Sequence, residues 1–120
     1  MESGVIMQEE QKICEACLPD AEKASEPTVQ HFLREHTSWD LISESDVQKL
    51  SKVYKFANFV EAQGFTNKVS DMAEIEGHHP SITLEYGRVT VKWWSHKIKG
   101  LHENDLKLSE KTDVLYGKFL

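Results

Sequence analysis

Gly77-His78-His79-Pro80-Ser81-Ile82-Thr83-Leu84-Glu85-Tyr86-Gly87-Arg88-Val89-Thr90-Val91-Lys92-Trp93 is the stretch that decides the fold. Its first four residues stop a helix: glycine accepts the left-handed conformation at a helix C-terminus, and proline disfavours helical geometry at His79 before it. Beyond them the period changes. Ile82, Leu84 and Tyr86 alternate with Ser81, Thr83 and Glu85; after Gly87, Val89, Val91 and Trp93 alternate with Arg88, Thr90 and Lys92. Two such runs about a glycine predict a hairpin of an antiparallel sheet, covered by helices on one side.

Upstream, Phe59, Ala62, Phe65, Val69, Met72 and Ala73 recur at three- and four-residue steps and predict an amphipathic helix from about Asn58 to Glu76, ended by Gly77. Ser25-Glu26-Pro27 reads as the start of a shorter helix with Val29, Phe32, Leu33 and His36 on one face. Trp39 and Leu41 open an extended segment, Glu44-Ser45-Asp46 breaks it, and Leu50, Tyr54 and Phe56 continue in a second strand. Downstream, a last helix from about Glu103 to Lys118 carries Leu108, Thr112, Leu115 and Phe119 on its buried stripe. The order α-β-β-α-β-β-α is an α+β layer structure. Residues 1–24 are polar and acidic and read as a leader; residues 25–120 form the domain.

At 120 residues, 39% apolar and 28% charged, the composition is that of one ordinary globular domain. No apolar run approaches the ~20 residues that cross a bilayer. The N-terminus lacks a basic region followed by an apolar core, so a cytoplasmic location, with nuclear presence allowed, is the expectation. A formal charge of −6 argues against nucleic acid as the main ligand. Lys92, Lys97 and Lys99 form a local positive cluster near His96, read first as ordinary exposed lysines and second as a draw for an anionic part of a small ligand. Cys14-x-x-Cys17 can close a redox disulfide or supply half a zinc site. No strand precedes the motif and no further ligand pair follows nearby, so the expectation is reduced thiols in a mobile leader.

The chemistry-bearing residues gather around the quoted stretch. In a hairpin the start of one strand lies beside the end of its partner, which brings His78 and His79 near His96. Imidazole titrates nearest neutrality, so three together suggest proton transfer. Glu74, one turn before His78, is expected beside that imidazole. Asp105 falls in the first turn of the last helix, where the dipole favours an acid; alternatively it orients His96 or binds a ring nitrogen of a ligand. His31, His36 and His102 read as structural or exposed. A metal held by the three clustered histidines is second choice, because adjacent residues in extended chain point to opposite sides.

The pattern Glu74-x3-His78-His79-Pro80-x5-Tyr86-x9-His96-x8-Asp105 resembles the signature of the pterin-4a-carbinolamine (4a-hydroxytetrahydrobiopterin) dehydratases, over roughly Trp39 to the C-terminus. The resemblance implies a four-stranded antiparallel sheet with helices on one face, paired into a homodimer or homotetramer. It implies a hydro-lyase that removes water from 4a-hydroxytetrahydrobiopterin to give quinonoid dihydrobiopterin, supporting tetrahydrobiopterin recycling, with no metal or organic cofactor. Carried over by position, His78, His79 and His96 are catalytic. His78 and His96 form the proton-transfer pair and His79 orients substrate. Gly77, His78, His79, Trp94, Ser95, His96 and Lys97 contact the pterin, and Glu74 and Asp105 are supporting acids. Two departures stand out. His102 replaces the Ser or Thr that caps the last helix in many relatives, and Trp94 is bulky where a small residue is common. A transcription-factor partner follows only by analogy with some animal members.

Overall fold

Turn chemistry sets the sheet. Ser45 and Asp46 both take positive φ, 53° and 65°, as a two-residue hairpin turn matched to the strand twist requires. Gly87 has φ 68°, and a Cβ there would come within 3.0 Å of the Phe56 carbonyl oxygen. The structure, a computed structural model, describes residues 14–18 and 20–119. Its elements are α1 (Glu26–Glu35), β1 (Asp40–Glu44), β2 (Val47–Lys55), α2 (Phe59–Glu76), β3 (Ser81–Glu85), β4 (Arg88–Trp93) and α3 (Glu103–Gly117), in the expected order, preceded by a 3-10 turn at Glu15–Cys17. The sheet runs β1-β2-β4-β3, antiparallel throughout. Phe56 and Tyr86, read above as strand residues, lie just beyond strand ends. Phe56 N–H bonds the Gly87 carbonyl, and Tyr86 sits exposed in the second turn.

One face of the sheet is the core. Leu50 and Tyr54 of β2 and Val89, Val91 and Trp93 of β4 are buried beneath Ala62, Phe65, Val69 and Ala73 of α2 and Leu108 and Thr112 of α3. Each fully buried large side chain contributes about 1.5–3 kcal/mol. Tyr54 packs its ring against Phe65 and Tyr116, with centroids 4.7 and 4.8 Å away. Its hydroxyl donates to Asp113 Oδ1 at 2.6 Å. Asp113 also accepts from Lys52 Nζ at 2.7 Å and Trp39 Nε1 at 3.0 Å, tying α3 to β2 and to the entry of β1. Burial, and then this carboxylate, push the Tyr54 phenol far above its ordinary pKa.

The opposite face is polar. There Glu44 receives Lys92 and Lys49, which hold its carboxyl below the usual range. Lys92 is therefore engaged, and the expected lysine cluster reduces to Lys97 and Lys99. The leader also differs from expectation. Residues 1–13 lie outside the described residues, but Cys14–Leu18 packs on the domain, with Ala16 buried. Ala24 N–H bonds the Leu101 carbonyl at 2.7 Å.

Candidate active site

Gly77 places the histidines. It takes φ 67°, ψ 24° at the end of α2, and the His78 N–H reaches back to the Ala73 carbonyl at 3.2 Å. This sharp reversal drives His78 inward, only 3% exposed, and returns His79 to the surface, 59% exposed. Pro80 then starts the chain toward β3.

His78 Nε2 lies 2.8 Å from Asp105 Oδ1 and 3.3 Å from the Trp94 carbonyl oxygen. Both partners only accept, so the proton is assigned to Nε2 and the neutral ring carries its lone pair on Nδ1. Asp105 is fully buried. Its other oxygen accepts from Ser95 Oγ at 2.7 Å and from the His102 N–H at 2.9 Å. The carboxylate thus caps α3 and positions an imidazole together. His102 completes the cap, its Nδ1 accepting from the Asn104 N–H at 3.0 Å, as a Ser or Thr hydroxyl would at that position.

Two sequence expectations are corrected here. Asp105 orients His78, not His96, because the first turn of α3 lies under the end of α2. Glu74 pairs with His79, not His78: Glu74 Oε1 is 2.9 Å from His79 Nε2, since the Gly77 reversal lays His79 back over the last turn of the helix.

His96 approaches from the other side. Ser95 and Gly100 exchange backbone hydrogen bonds of 2.8 and 3.4 Å, closing a loop that presents His96 and Lys97 to solvent. His96 Nε2 donates to the His79 carbonyl at 3.3 Å. The Trp94 ring backs it at a centroid distance of 4.4 Å and carries Lys49 Nζ on its face, 3.9 Å from the centroid. Gly77, His78, His79, Ser95, His96 and Lys97 line one open concavity of about 400 Å³, together with Cys17. Trp94, expected to contact a pterin, is not among the residues that line this concavity; its carbonyl meets His78.

The cysteines depart from the reading above. Cys14 and Cys17 form a disulfide, and Cys14 Sγ lies 3.3 Å from His78 Nδ1. Cys17 as a wall of the site is not an expectation of the sequence. The Cys-x-x-Cys spacing is the available signal, but His78 is 64 residues from Cys14 and only folding brings the two together. His36 also has a defined place, stacked on Phe32 and bonded to Glu110 at 3.0 Å, away from the concavity.

The model of the family described as pterin 4 alpha carbinolamine dehydratase matches residues 22–115. The chain belongs to that family. A Nitrosococcus oceani protein named "Putative pterin-4-alpha-carbinolamine dehydratase" is 52% identical over 85% of this chain and 90% of its own length. A Marinobacter nauticus protein of the same name is 49% identical over 88% of this chain and 96% of its own. Among solved structures, a transcriptional coactivator/pterin dehydratase from Brucella melitensis aligns with TM-score 0.71 and 26% identity, over 79% of this chain and 99% of that one. A pterin dehydratase-like protein described as a RuBisCO assembly factor of the alpha-carboxysome aligns with TM-score 0.58 and 20% identity, over 68% of this chain and 93% of that one, and shares the fold alone. One fold thus carries proteins with both dehydratase and assembly names, and it is the site that bears on the chemistry.

Proposed function

We propose that the chain dehydrates a pterin 4a-carbinolamine by histidine acid–base chemistry. The observation that carries this is the Asp105–His78 pair at the back of a concavity whose rim holds His79 and His96. In the substrate, hydroxyl and nitrogen share carbon 4a. Loss of water requires a proton on the departing hydroxyl and removal of the proton on N5, leaving the C4a=N5 double bond of the quinonoid dihydropterin. His78 has a lone pair on Nδ1 and the Asp105 carboxyl group behind Nε2, the arrangement that holds an imidazole in one tautomer and stabilises it once protonated. It is the base. His96, on the opposite rim, is the acid. His79, tethered to Glu74, orients the ring system with Lys97 and the backbone of Gly77 and Ser95. Each positioned proton transfer supplies ~10²- to 10⁴-fold.

The same reading gives the chain a place in recycling tetrahydropterin after aromatic hydroxylation. It also pairs copies through the sheet edges: β1 and β3 are the outer strands. The test is a stopped-flow record of 4a-hydroxytetrahydrobiopterin decay. The protein should accelerate it saturably, and His96→Ala should lose at least ~10-fold; decay at the blank rate with folded wild-type protein sinks the proposal. A partner-binding role is the second reading, supported by the coactivator part of the Brucella relative's name. Capture of a partner unaffected by His78→Ala and His96→Ala would separate it from the enzymatic role.

A further inference from the structure

Three atoms of metal-ligand type meet at the back wall of the concavity. Cys14 Sγ, Cys17 Sγ and His78 Nδ1 lie within 4.8 Å of one another. Two independent features turn this proximity into a ligand set. His78 carries its proton on Nε2, toward Asp105 and the Trp94 carbonyl, so Nδ1 offers a lone pair to the sulfurs. A carboxylate behind the far ring nitrogen is the arrangement that orients metal-binding histidines and raises their basicity. Second, the His78 lone pair faces Cys14 Sγ at 3.3 Å, and a disulfide sulfur has no hydrogen to donate to it. A cation shared with both thiolates gives that lone pair a partner. Tetrahedral zinc, with Zn–S of about 2.3 Å and Zn–N of about 2.0 Å, sets sulfur and nitrogen about 3.5 Å apart, near the separation seen. Cys14 and Cys17 lie at the two ends of one 3-10 turn, with Cα atoms 5.3 Å apart.

We propose that Cys14, Cys17 and His78, once the disulfide is reduced, bind one zinc ion, with water as fourth ligand on the side of the concavity that Cys17 lines. A phosphine performs the reduction. The S–S bond breaks, each sulfur takes one hydrogen of a water molecule, and the water oxygen ends on phosphorus as the phosphine oxide. Zinc then displaces the two thiol protons and forms two Zn–S bonds and one Zn–N bond. The site clips the segment before α1 onto the ends of α2 and β4. It also occupies the lone pair assigned above to the base, so the zinc-loaded form is a resting form; this consequence alone rests on the dehydratase reading.

The full chain, reduced with a phosphine and checked by mass for two free thiols, is titrated with cobalt(II) and then zinc. The expected result is one equivalent of cobalt with sulfur-to-metal charge transfer and the strong visible bands of a tetrahedral thiolate site, bleached by one equivalent of zinc. Cys14→Ser/Cys17→Ser should lose both signals, and Asp105→Asn should weaken zinc binding ~10- to 100-fold. Cobalt spectra of an octahedral aquo type, sulfurs that stay bonded under reductant, or unaltered zinc affinity in the double-serine variant would each overturn the site. The readout is spectral. A chain that binds cobalt but dehydrates no pterin therefore refutes the function and keeps the site, and the converse holds equally.

Discussion

Asp105 Oδ1 and His78 Nε2 stand 2.8 Å apart across a sequence separation of 27 residues, with neither side chain more than 3% exposed. Capping α3 and fixing the tautomer of His78 are the work of one carboxylate, so the helix start and the site are built together. Asp105→Asn keeps the shape but can present an amide N–H to Nε2, moving the ring proton to Nδ1. The dehydration rate should fall by at least ~10-fold, with the far-UV circular dichroism retained. Ser95→Ala, which removes one of the donors holding that carboxylate, should produce a smaller loss in the same assay.

Glu74 and His79 make a surface pair, 65% and 59% exposed. Exposed pairs contribute about 0–1 kcal/mol. Urea unfolding of Glu74→Gln should therefore shift stability by less than about 1 kcal/mol, and its rate loss should be smaller than that of Asp105→Asn. A larger rate loss would move the main carboxylate of the site from Asp105 to Glu74.

Gly77→Ala tests the reversal that separates the two adjacent histidines. A left-handed alanine costs about 1–2 kcal/mol, and relief of that strain would draw His78 away from Asp105. Both chemical stability and dehydration should fall, and the rate should drop further than in an equally destabilised core variant such as Val69→Ala.

Tyr54 gives a pH signature. Its folded-state phenol pKa lies above the unfolded value, through burial first and then the Asp113 hydrogen bond. The neutral phenol therefore contributes fully below about pH 10, and the contribution shrinks as the pH rises past the unfolded pKa of about 10, because only the unfolded chain then releases the proton. Stability by denaturant titration should decline from pH 9 to 11. Tyr54→Phe should cost about 1–3 kcal/mol at pH 7 and flatten that decline.

The fold was legible because each element agrees with its own local signals. Ser25 and Asn58 cap α1 and α2, accepting from Thr28 and Glu61, while Gly77 ends α2 and the alternation from Ile82 to Trp93 fixes which strand face is buried. Convergence of His78, His79 and His96 on one concavity also followed from hairpin register. The pairings within it did not. A single left-handed glycine decides which of two adjacent histidines turns inward, and helical spacing alone gave Glu74 to the wrong one. The partner of Asp105 depends on how α3 crosses the end of α2, which periodicity does not encode. Cys14 and Cys17 were read by their neighbours in the chain, whereas their place is set by His78, far along it.

In the proposed dehydratase, a pterin ring occupies the concavity of His78, His79 and His96. A different concavity, of about 460 Å³ between α1 and α3, is lined by His31 and His36. The direct measurement is imidazole-selective NMR of the full chain during titration with 7,8-dihydrobiopterin, a stable relative of the product. The ring signals of His78, His79 and His96 should shift saturably while those of His31 and His36 stay fixed. Shifts confined to His31 and His36 would place the pterin elsewhere and rule this site out.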